Sequence, residues 1–296
     1  MSSEPTVPIS LSLVIPLYNE VDSIAQTLHD ACEALQSTGA ATEIIVVDDG
    51  STDGSAQAVE ETGLPVRVIR HESNRGYGAA LKTGIAAACY EYVAIVDADG
   101  SYPVRELPNL MQAAPDHAMV VGERIQYSHY SSSARNLGKA ILVPLANYLS
   151  GIKIPDINSG MRIMRKDLVE RYWPLLPDTF SFTTTITLSL LCAGWNVRYL
   201  PIQYAKREGH SKIKPVRDMI RFVILIVRTS TYFRPLKVYL PIGFGFIFIA
   251  LALLLVRVFY GHVLNITTLF FFIAGLQSIL VGVLADLILK LLGTRK

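Results

Sequence analysis

Two carboxylates one residue apart, Asp97 and Asp99, close the apolar run Tyr92–Val96 in the stretch YVAIVDADG. An aromatic and aliphatic run of that length predicts a buried strand. Strand alternation then puts both aspartates on one face as the strand runs out. Neighbouring carboxylates repel unless a cation lies beside them; the same residues also suit an Asp-Gly bend with no ligand. Three other strand-like runs end in similar groups. Leu11–Pro16 leads to Tyr18 and Glu20, Glu43–Val47 to Asp48 and Asp49, and Val66–Ile69 to His71, Asn74 and Arg75. Taken singly, polar loops are ordinary. Four at the same edge of a sheet point to a ligand.

Such an edge needs elements that bring the strand ends together. Ile24, Leu28, Ala31 and Leu35 follow the first run at helical spacing, and Asn74–Gly78 opens a small-residue helix through Ala79, Leu81 and Ile85. Strands alternating with helices predict an α/β fold, a mostly parallel sheet with helices on both faces. Its ligands sit beyond the carboxyl ends of the strands. Further strands are expected at Ala118–Gly122 and Asn196–Pro201, and an apolar helix at Ala140–Leu149 with a kink at Pro144. Hydride transfer is excluded as the reading: the G-x-G-x-x-G turn should follow the first strand, where this chain has PLYNE.

The 296 residues carry a formal net charge of +2, which gives no global case for nucleic-acid binding. Basic charge is local: nine Lys and Arg lie between Lys206 and Lys237, against Glu208 and Asp218. Three scattered cysteines suit reduced thiols rather than a disulfide frame or a zinc site. Mean hydropathy is +0.35, and the excess lies after Val238.

VIPLYNE, VVDDGSTDGS, NRGYGAALKTG and VDADG, in this order and spacing, resemble glycosyltransferase family 2 and its nucleotide-sugar-binding GT-A fold. The resemblance runs from about Leu11 to Arg217, and its later part is similar to the polyprenyl-phosphate branch. It implies a donor nucleotide site made by Pro16, Tyr18, Glu20, Asp48, Asp49, Lys82, Asp97 and Ala98. Asp97 and Asp99 are implied to be the DxD element, with Mg²⁺ or Mn²⁺ nearest Asp99. A divalent cation suits a diphosphate leaving group, whose negative charge grows as the glycosidic bond breaks. Relatives in that branch often carry glutamine where this chain has Ser101, and an acidic residue in the stretch equivalent to Phe180–Thr185, where it has none. Arg124 and Arg135 resemble the pair that membrane-bound members direct at a lipid phosphate, which forked guanidinium groups match. Asp156-Ile157-Asn158-Ser159-Gly160-Met161-Arg162 resembles the D-x-x-S-G-[FM]-R segment, where the aspartate is a catalytic candidate as base or as an orienting group. Ser159, Arg162, Arg207 and Lys212 complete the acceptor phosphate and diphosphate set.

The uncharged stretches Val238–Val256 and Val263–Ala285 are each long enough to cross a bilayer. Only Arg257–His262 separates them, so they form a hairpin, and flanking basic residues place both ends in the cytosol. Residues 1–213 are thus expected to form a cytosolic GT-A domain, 214–237 basic interfacial helices, and 238–296 a transmembrane hairpin with a short tail. MSSEPTVPIS lacks the pattern of a secretory signal. Gly243, Gly245 and Gly275 offer close-packing points for a homo-oligomer. The expected activity is transfer of one sugar, with inversion, from a UDP- or GDP-sugar to undecaprenyl or dolichyl phosphate among membrane lipids. Two other readings accommodate the motifs: transfer to diacylglycerol or a lipid-linked saccharide, and a catalytically silent nucleotide-sugar-binding scaffold.

Overall fold

In the computed structural model, the described residues are 9–125, 143–205, 215–260 and 265–291. Seven strands make one sheet: β1 (Leu11–Leu17), β2 (Thr42–Asp48), β3 (Arg67–Arg70), β4 (Tyr92–Ile95), β5 (Met119–Arg124), β6 (Arg162–Arg165) and β7 (Val197–Ile202). Their order is β3-β2-β1-β4-β6-β5-β7. All neighbours run parallel except β6, which is antiparallel to both β4 and β5. The order reverses direction between β1 and β4, so the crevice at their carboxyl ends is the switch point where open α/β sheets bind ligands.

Alternation along β1 builds both cores. Leu11, Leu13, Ile15 and Leu17 face α1 (Val21–Gln36), meeting Ile24, Leu28, Ala31 and Leu35 as the helical spacing predicts. After α2 (Ser55–Glu61) comes α3 (Tyr77–Ala87). Val14 points the other way, with Ile45 and Val47, towards Leu81 and Ile85 of α3. Helix α4 (Leu107–Ala113) adds Leu107 and Leu110 to the first core. Strand β1 passes through Pro16, which lies beside Val47, and ends one residue beyond the expected stop at the proline.

The described part of α5 spans 143–150 and is followed by α6 (Lys166–Arg171) and α7 (Phe182–Cys192). Every residue of α7 is buried, including Thr183, Thr184, Thr185, Thr187 and Ser189. Two of these hydroxyls are housed by carbonyls one turn back, Thr185 donating to Ser181 O at 2.9 Å and Thr187 to Thr183 O at 2.7 Å, and Thr184 donates to Asn158 Oδ1.

Helix α8 (Pro215–Phe233) docks on this body through Ile226, which packs with α5 and α7, and Phe233, whose ring meets Tyr172 edge-on. The first expected interfacial segment is therefore a 19-residue helix partly built into the core. Helices α9 (Pro235–Tyr260) and α10 (Asn265–Leu291) pair with each other. Pro235–Val256 and Ile266–Leu291 are long and apolar enough to cross a membrane, and little of either is buried within the chain. Gly243 and Gly275 are used inside this hairpin. A Cβ on Gly243 would lie 2.9 Å from Gly275 O, and one on Gly275 2.8 Å from Gly243 O, so the two helices touch there backbone to backbone. Arg234 donates to Cys192 O and Ser150 O, and Lys237 to Tyr148 O, clasping the carboxyl end of α5 at the entry to α9.

Candidate active site

At the end of β1 the chain turns through Asn19, whose φ of 55° is the left-handed value that asparagine tolerates among non-glycine residues. Its amide accepts from Thr52 N at 2.8 Å, and its own N–H donates to Ser51 Oγ. Glu20 N donates to Ser55 Oγ, and Val21 N to Asp53. YNE and DDGSTDGS are thereby stitched into one surface, with Tyr18 and Glu20 half-buried on it. Asp48 and Asp49 are both buried. Asp48 caps its own turn by accepting from Ser51 N at 2.9 Å. Asp49 holds the loop after β3: it accepts from Arg75 N and Gly76 N at 2.9 and 2.8 Å, and pairs with His71 Nδ1 at 2.7 Å. His71 reaches on to Thr83. The aspartate pair thus fixes the loops that follow β2 and β3 against each other.

The DADG stretch leaves the strand earlier than alternation predicts. Strand β4 ends at Ile95 and Ala98–Asp99 form a turn, so separate contacts aim the two carboxylates. Ala98 is buried, and its carbonyl accepts from Ser23 Oγ of α1 at 2.8 Å. Tyr77 OH donates to Asp97 Oδ1 at 2.8 Å. Burial and then the Asp97 charge raise the Tyr77 hydroxyl well above the ordinary tyrosine range, so it stays a donor. Asp99 accepts from the backbone and hydroxyl of Ser101. Ser101, buried and short, orients Asp99 rather than extending towards a ligand.

Gly160 explains the S-G pair of the seven-residue motif. A Cβ there would lie 2.3 Å from Asp97 Oδ2, so only glycine lets the turn pack on the carboxylate. Gly160 N donates to Tyr102 OH at 2.6 Å. Ser159 and Arg162, expected at the acceptor phosphate, are both fully buried. The Arg162 guanidinium donates to Ser159 O, Thr183 O and Thr187 Oγ1, locking the turn to α7 from below. Burial lowers its pKa, while the nearby Tyr77, Tyr199 and Asp156 oppose that shift. The structure therefore gives both residues a positioning place beneath the site, because their polar atoms are engaged in the turn itself.

Arg124 ends β5, and Asp156 grips it on two atoms, Nε to Oδ2 at 2.7 Å and Nη2 to Oδ1 at 2.8 Å. The guanidinium lies 5.3 Å from the ring centre of Tyr204. Burial pushes the Asp156 carboxyl up, but hydrogen bonds and charge from Arg124, with the Asn158 amide, outweigh it and hold the group below the usual aspartate range. A carboxylate so stabilised is a poor base and a good clamp. Tyr204 joins both halves. Burial raises its hydroxyl; Ser101 and Arg124 lower it, while Asp99 and Asp97 raise it.

Lys82, expected at the diphosphate, pairs with Asp178 at 2.7 Å and lies over Trp173. Arg135, Arg207 and Lys212 lie outside the described residues. Sequence reasoning passed over Tyr77, Tyr102, Tyr204 and Phe180; the sole signal was the Gly76-Tyr77-Gly78 spacing, which marks a close backbone approach without saying to what. Among the described residues no group of three His, Cys, Asp or Glu forms a closed metal cage. The residues nonetheless fit a divalent cation that takes one or two carboxylates and completes its shell with substrate phosphates and water, as hard oxygen-seeking ions do. The cradle left by Gly160 keeps Asp97 clear of any side chain at that position.

Comparisons with known proteins bear on the family and the fold. An undecaprenyl-phosphate 4-deoxy-4-formamido-L-arabinose transferase from Pseudomonas fluorescens is 29% identical over 268 residues, covering 85% of this chain and 74% of that protein. One of the same name from Pseudomonas paraeruginosa is 30% identical over 300 residues, covering 94% and 85%. Among solved structures, glucosyl-3-phosphoglycerate synthase from Mycobacterium tuberculosis, in complex with Mn²⁺, uridine diphosphate and phosphoglyceric acid, superposes with a TM-score of 0.60 at 16% identity. That match covers 75% of this chain and 78% of that one, and shows a shared GT-A fold. The model of glycosyl transferase family 2 matches residues 12–173, from β1 past the Gly160 turn and through every described carboxylate of the site, and the chain belongs to that family.

Proposed function

We propose that the chain transfers one sugar from a nucleotide diphosphate sugar to a polyprenyl phosphate at a membrane surface. The observation that carries this is a chain of contacts: the Gly160 turn packs on Asp97 and donates to Tyr102 OH, the Tyr102 ring meets Tyr204 edge-on at 5.0 Å, and Arg124, clamped by Asp156, lies 5.3 Å from the Tyr204 ring centre. The donor carboxylate and the acceptor-side arginine are thus joined through two tyrosine rings, in a chain that also carries two helices fit to cross a bilayer. Relatives named for transfer to undecaprenyl phosphate support the acceptor class, and solved neighbours holding uridine diphosphate with Mn²⁺ or Mg²⁺ support the donor and the ion.

Asp99 and Asp97 would hold the ion, which supplies neutralisation of the diphosphate as it leaves. Tyr18, Glu20 and the loop tied by Asp49 receive the nucleoside. Tyr77 and Gly160 keep the Asp97 carboxylate in one orientation, so little reorganisation is needed at the moment of reaction. Arg124 presents a fixed positive charge to the acceptor phosphate, and Asp156 sets the plane of that guanidinium. A phosphate monoester is largely ionised at neutral pH. The attacking oxygen therefore needs orientation more than deprotonation, which fits Asp156 as clamp. Attack from the face opposite the nucleotide inverts the anomeric centre. The apolar hairpin brings the catalytic body to the lipid, with 1–213 as its cytosolic part.

Asp99→Ala tests the proposal in isolated membranes. Loss of transfer to polyprenyl phosphate with membrane insertion retained is the expected result; near-normal transfer overturns it. A panel of UDP- and GDP-sugars with Mg²⁺ or Mn²⁺ then identifies the donor.

A further inference from the structure

Phe180 is 71% exposed, the highest value among described large apolar side chains ahead of α8. A single exposed apolar residue is ordinary. What sets Phe180 apart is that its position is fixed and that it leads to the donor carboxylate. Its ring stacks on Tyr77 at 5.3 Å between centres and 18° between planes. The Tyr77 hydroxyl at the far end of that ring donates to Asp97 Oδ1 at 2.8 Å. The loop that carries Phe180 is seated on the start of α3. A Cβ on Gly76 would lie 2.4 Å from Asp178 O, and one on Gly78 2.2 Å from Pro177 O, so two glycines are needed for the approach. Ala79 N donates to Asp178 O at 3.2 Å, Lys82 pairs with Asp178 at 2.7 Å, and Phe182 N donates to Thr179 O at 3.1 Å. One face of the Phe180 ring is thus held by Tyr77 and the side chain is otherwise open, one ring away from the carboxylate that the donor uses.

We propose that Phe180 is a specificity-determining residue that stacks on the apolar face of the donor sugar. An aromatic face carries partial negative charge, and the C–H bonds of a pyranose carry partial positive charge, so a ring with several C–H bonds on one side gains both dispersion and weak electrostatic attraction. The stack of Tyr77 under Phe180 couples the platform to Asp97: one tyrosine sets both the ring that receives the sugar and the carboxylate on the diphosphate side. The chemistry selects a hexose or pentose ring with an unbroken C–H face and disfavours one whose axial hydroxyl interrupts it. Nucleoside diphosphate alone makes no use of the platform.

This inference rests on the proposed function, and the experiment separates the two. The full chain in detergent is assayed with UDP-glucose, UDP-galactose, UDP-N-acetylglucosamine, UDP-arabinose and GDP-mannose, and the best donor is carried forward. Phe180→Ala is expected to raise KM for that donor at least tenfold while the Kd for the matching nucleoside diphosphate with Mn²⁺ stays within twofold. Phe180→Tyr, which keeps the ring, should restore KM to within threefold of wild type. Unchanged donor KM in a folded Phe180→Ala variant overturns the platform and leaves the glycosyltransferase reading standing. Equal weakening of donor and nucleoside diphosphate, unrescued by tyrosine, overturns it too, since it marks a structural role. Wild-type transfer from none of these donors to polyprenyl phosphate refutes the functional reading and the platform with it.

Discussion

Gly160→Ala adds one methyl group at the point where the β6 entry turn packs on Asp97. The new Cβ would sit 2.3 Å from Oδ2 and 2.6 Å from Cγ, whereas ordinary contact begins at 3.4 Å. Something must move by about 1 Å to restore a normal separation. The turn is poorly able to do so: Ser159 O is held by Arg162, Gly160 N by Tyr102 OH, and Gly122 N donates to Met161 O at 2.9 Å. The carboxylate is the softer partner, and its shift also strains the Tyr77 hydrogen bond. A displacement of about 1 Å at a reacting centre costs on the order of 10²-fold in rate. Expected, then, is a roughly hundredfold fall in transfer, a higher Mn²⁺ requirement and a fold that survives, since overpacking costs about 1–3 kcal/mol. The assay is initial transfer rate against Mn²⁺ concentration, with thermal unfolding in parallel. Repeating the unfolding measurement in an Asp97→Ala background isolates the clash: without the carboxylate, alanine at 160 should cost much less stability. A Gly160→Ala enzyme within threefold of wild-type rate at unchanged Mn²⁺ dependence would refute the reasoning.

Two further outcomes follow from the ion pairs. Asp156 has a folded pKa below its ordinary value of 3.8, so its stabilising charge is complete above that value and is lost as pH falls through the lower folded one. Asp156→Asn should therefore flatten the acid arm of an unfolding-versus-pH curve and raise acceptor KM, without adding or removing a limb in the rate profile around neutrality. A neutral-range limb that disappears in the variant would restore the general-base role. Lys82→Met breaks a pair in which Asp178 is 61% exposed, so it should cost only about 0–1 kcal/mol by urea unfolding. A larger loss of donor binding than of stability would return Lys82 to the diphosphate.

The first half of the fold was legible because β1, β2 and β4 are largely buried and read as short apolar runs closed by polar turns; β1 to β4, the exposed edge strand β3 included, lie within a residue or two of their expected places. Strand β6 escaped notice. Its four residues, Arg162–Arg165, begin and end in arginine, and hydropathy cannot show that Arg162 finds enough carbonyl and hydroxyl partners to be buried. Hydropathy likewise does not show that Ser159 and Arg162, expected at the acceptor, are buried with their polar atoms engaged in the turn. Motif spacing singled out Asp97, Asp99, Arg124 and Asp156 as candidates, but not that Asp156 grips Arg124 or that Asp97 leans on Tyr77, since those contacts join segments far apart in the chain. The aromatic residues showed less: Tyr77 was marked only by its flanking glycines, and Phe180 and Tyr204 by nothing, because their contacts depend on where the loops bring them. The hairpin was plain from hydropathy, and its helices run a few residues longer than the uncharged windows, to Tyr260 and Leu291.

The reversed direction of β6 has a consequence for how such enzymes can diversify. Because β5 ends at the same edge where β6 begins, the chain leaves the sheet and returns to it on one side. Between Arg124 and Met161 the described residues take no part in the sheet's pairing, and α5 among them is clasped by Arg234 and Lys237. Such a segment can lengthen, shorten or change composition while β1 to β4 keep their register. The half that carries Asp97 and Asp99 can therefore stay fixed while the half that carries Arg124 and Asp156 varies, the two joined at Gly160 packed on Asp97.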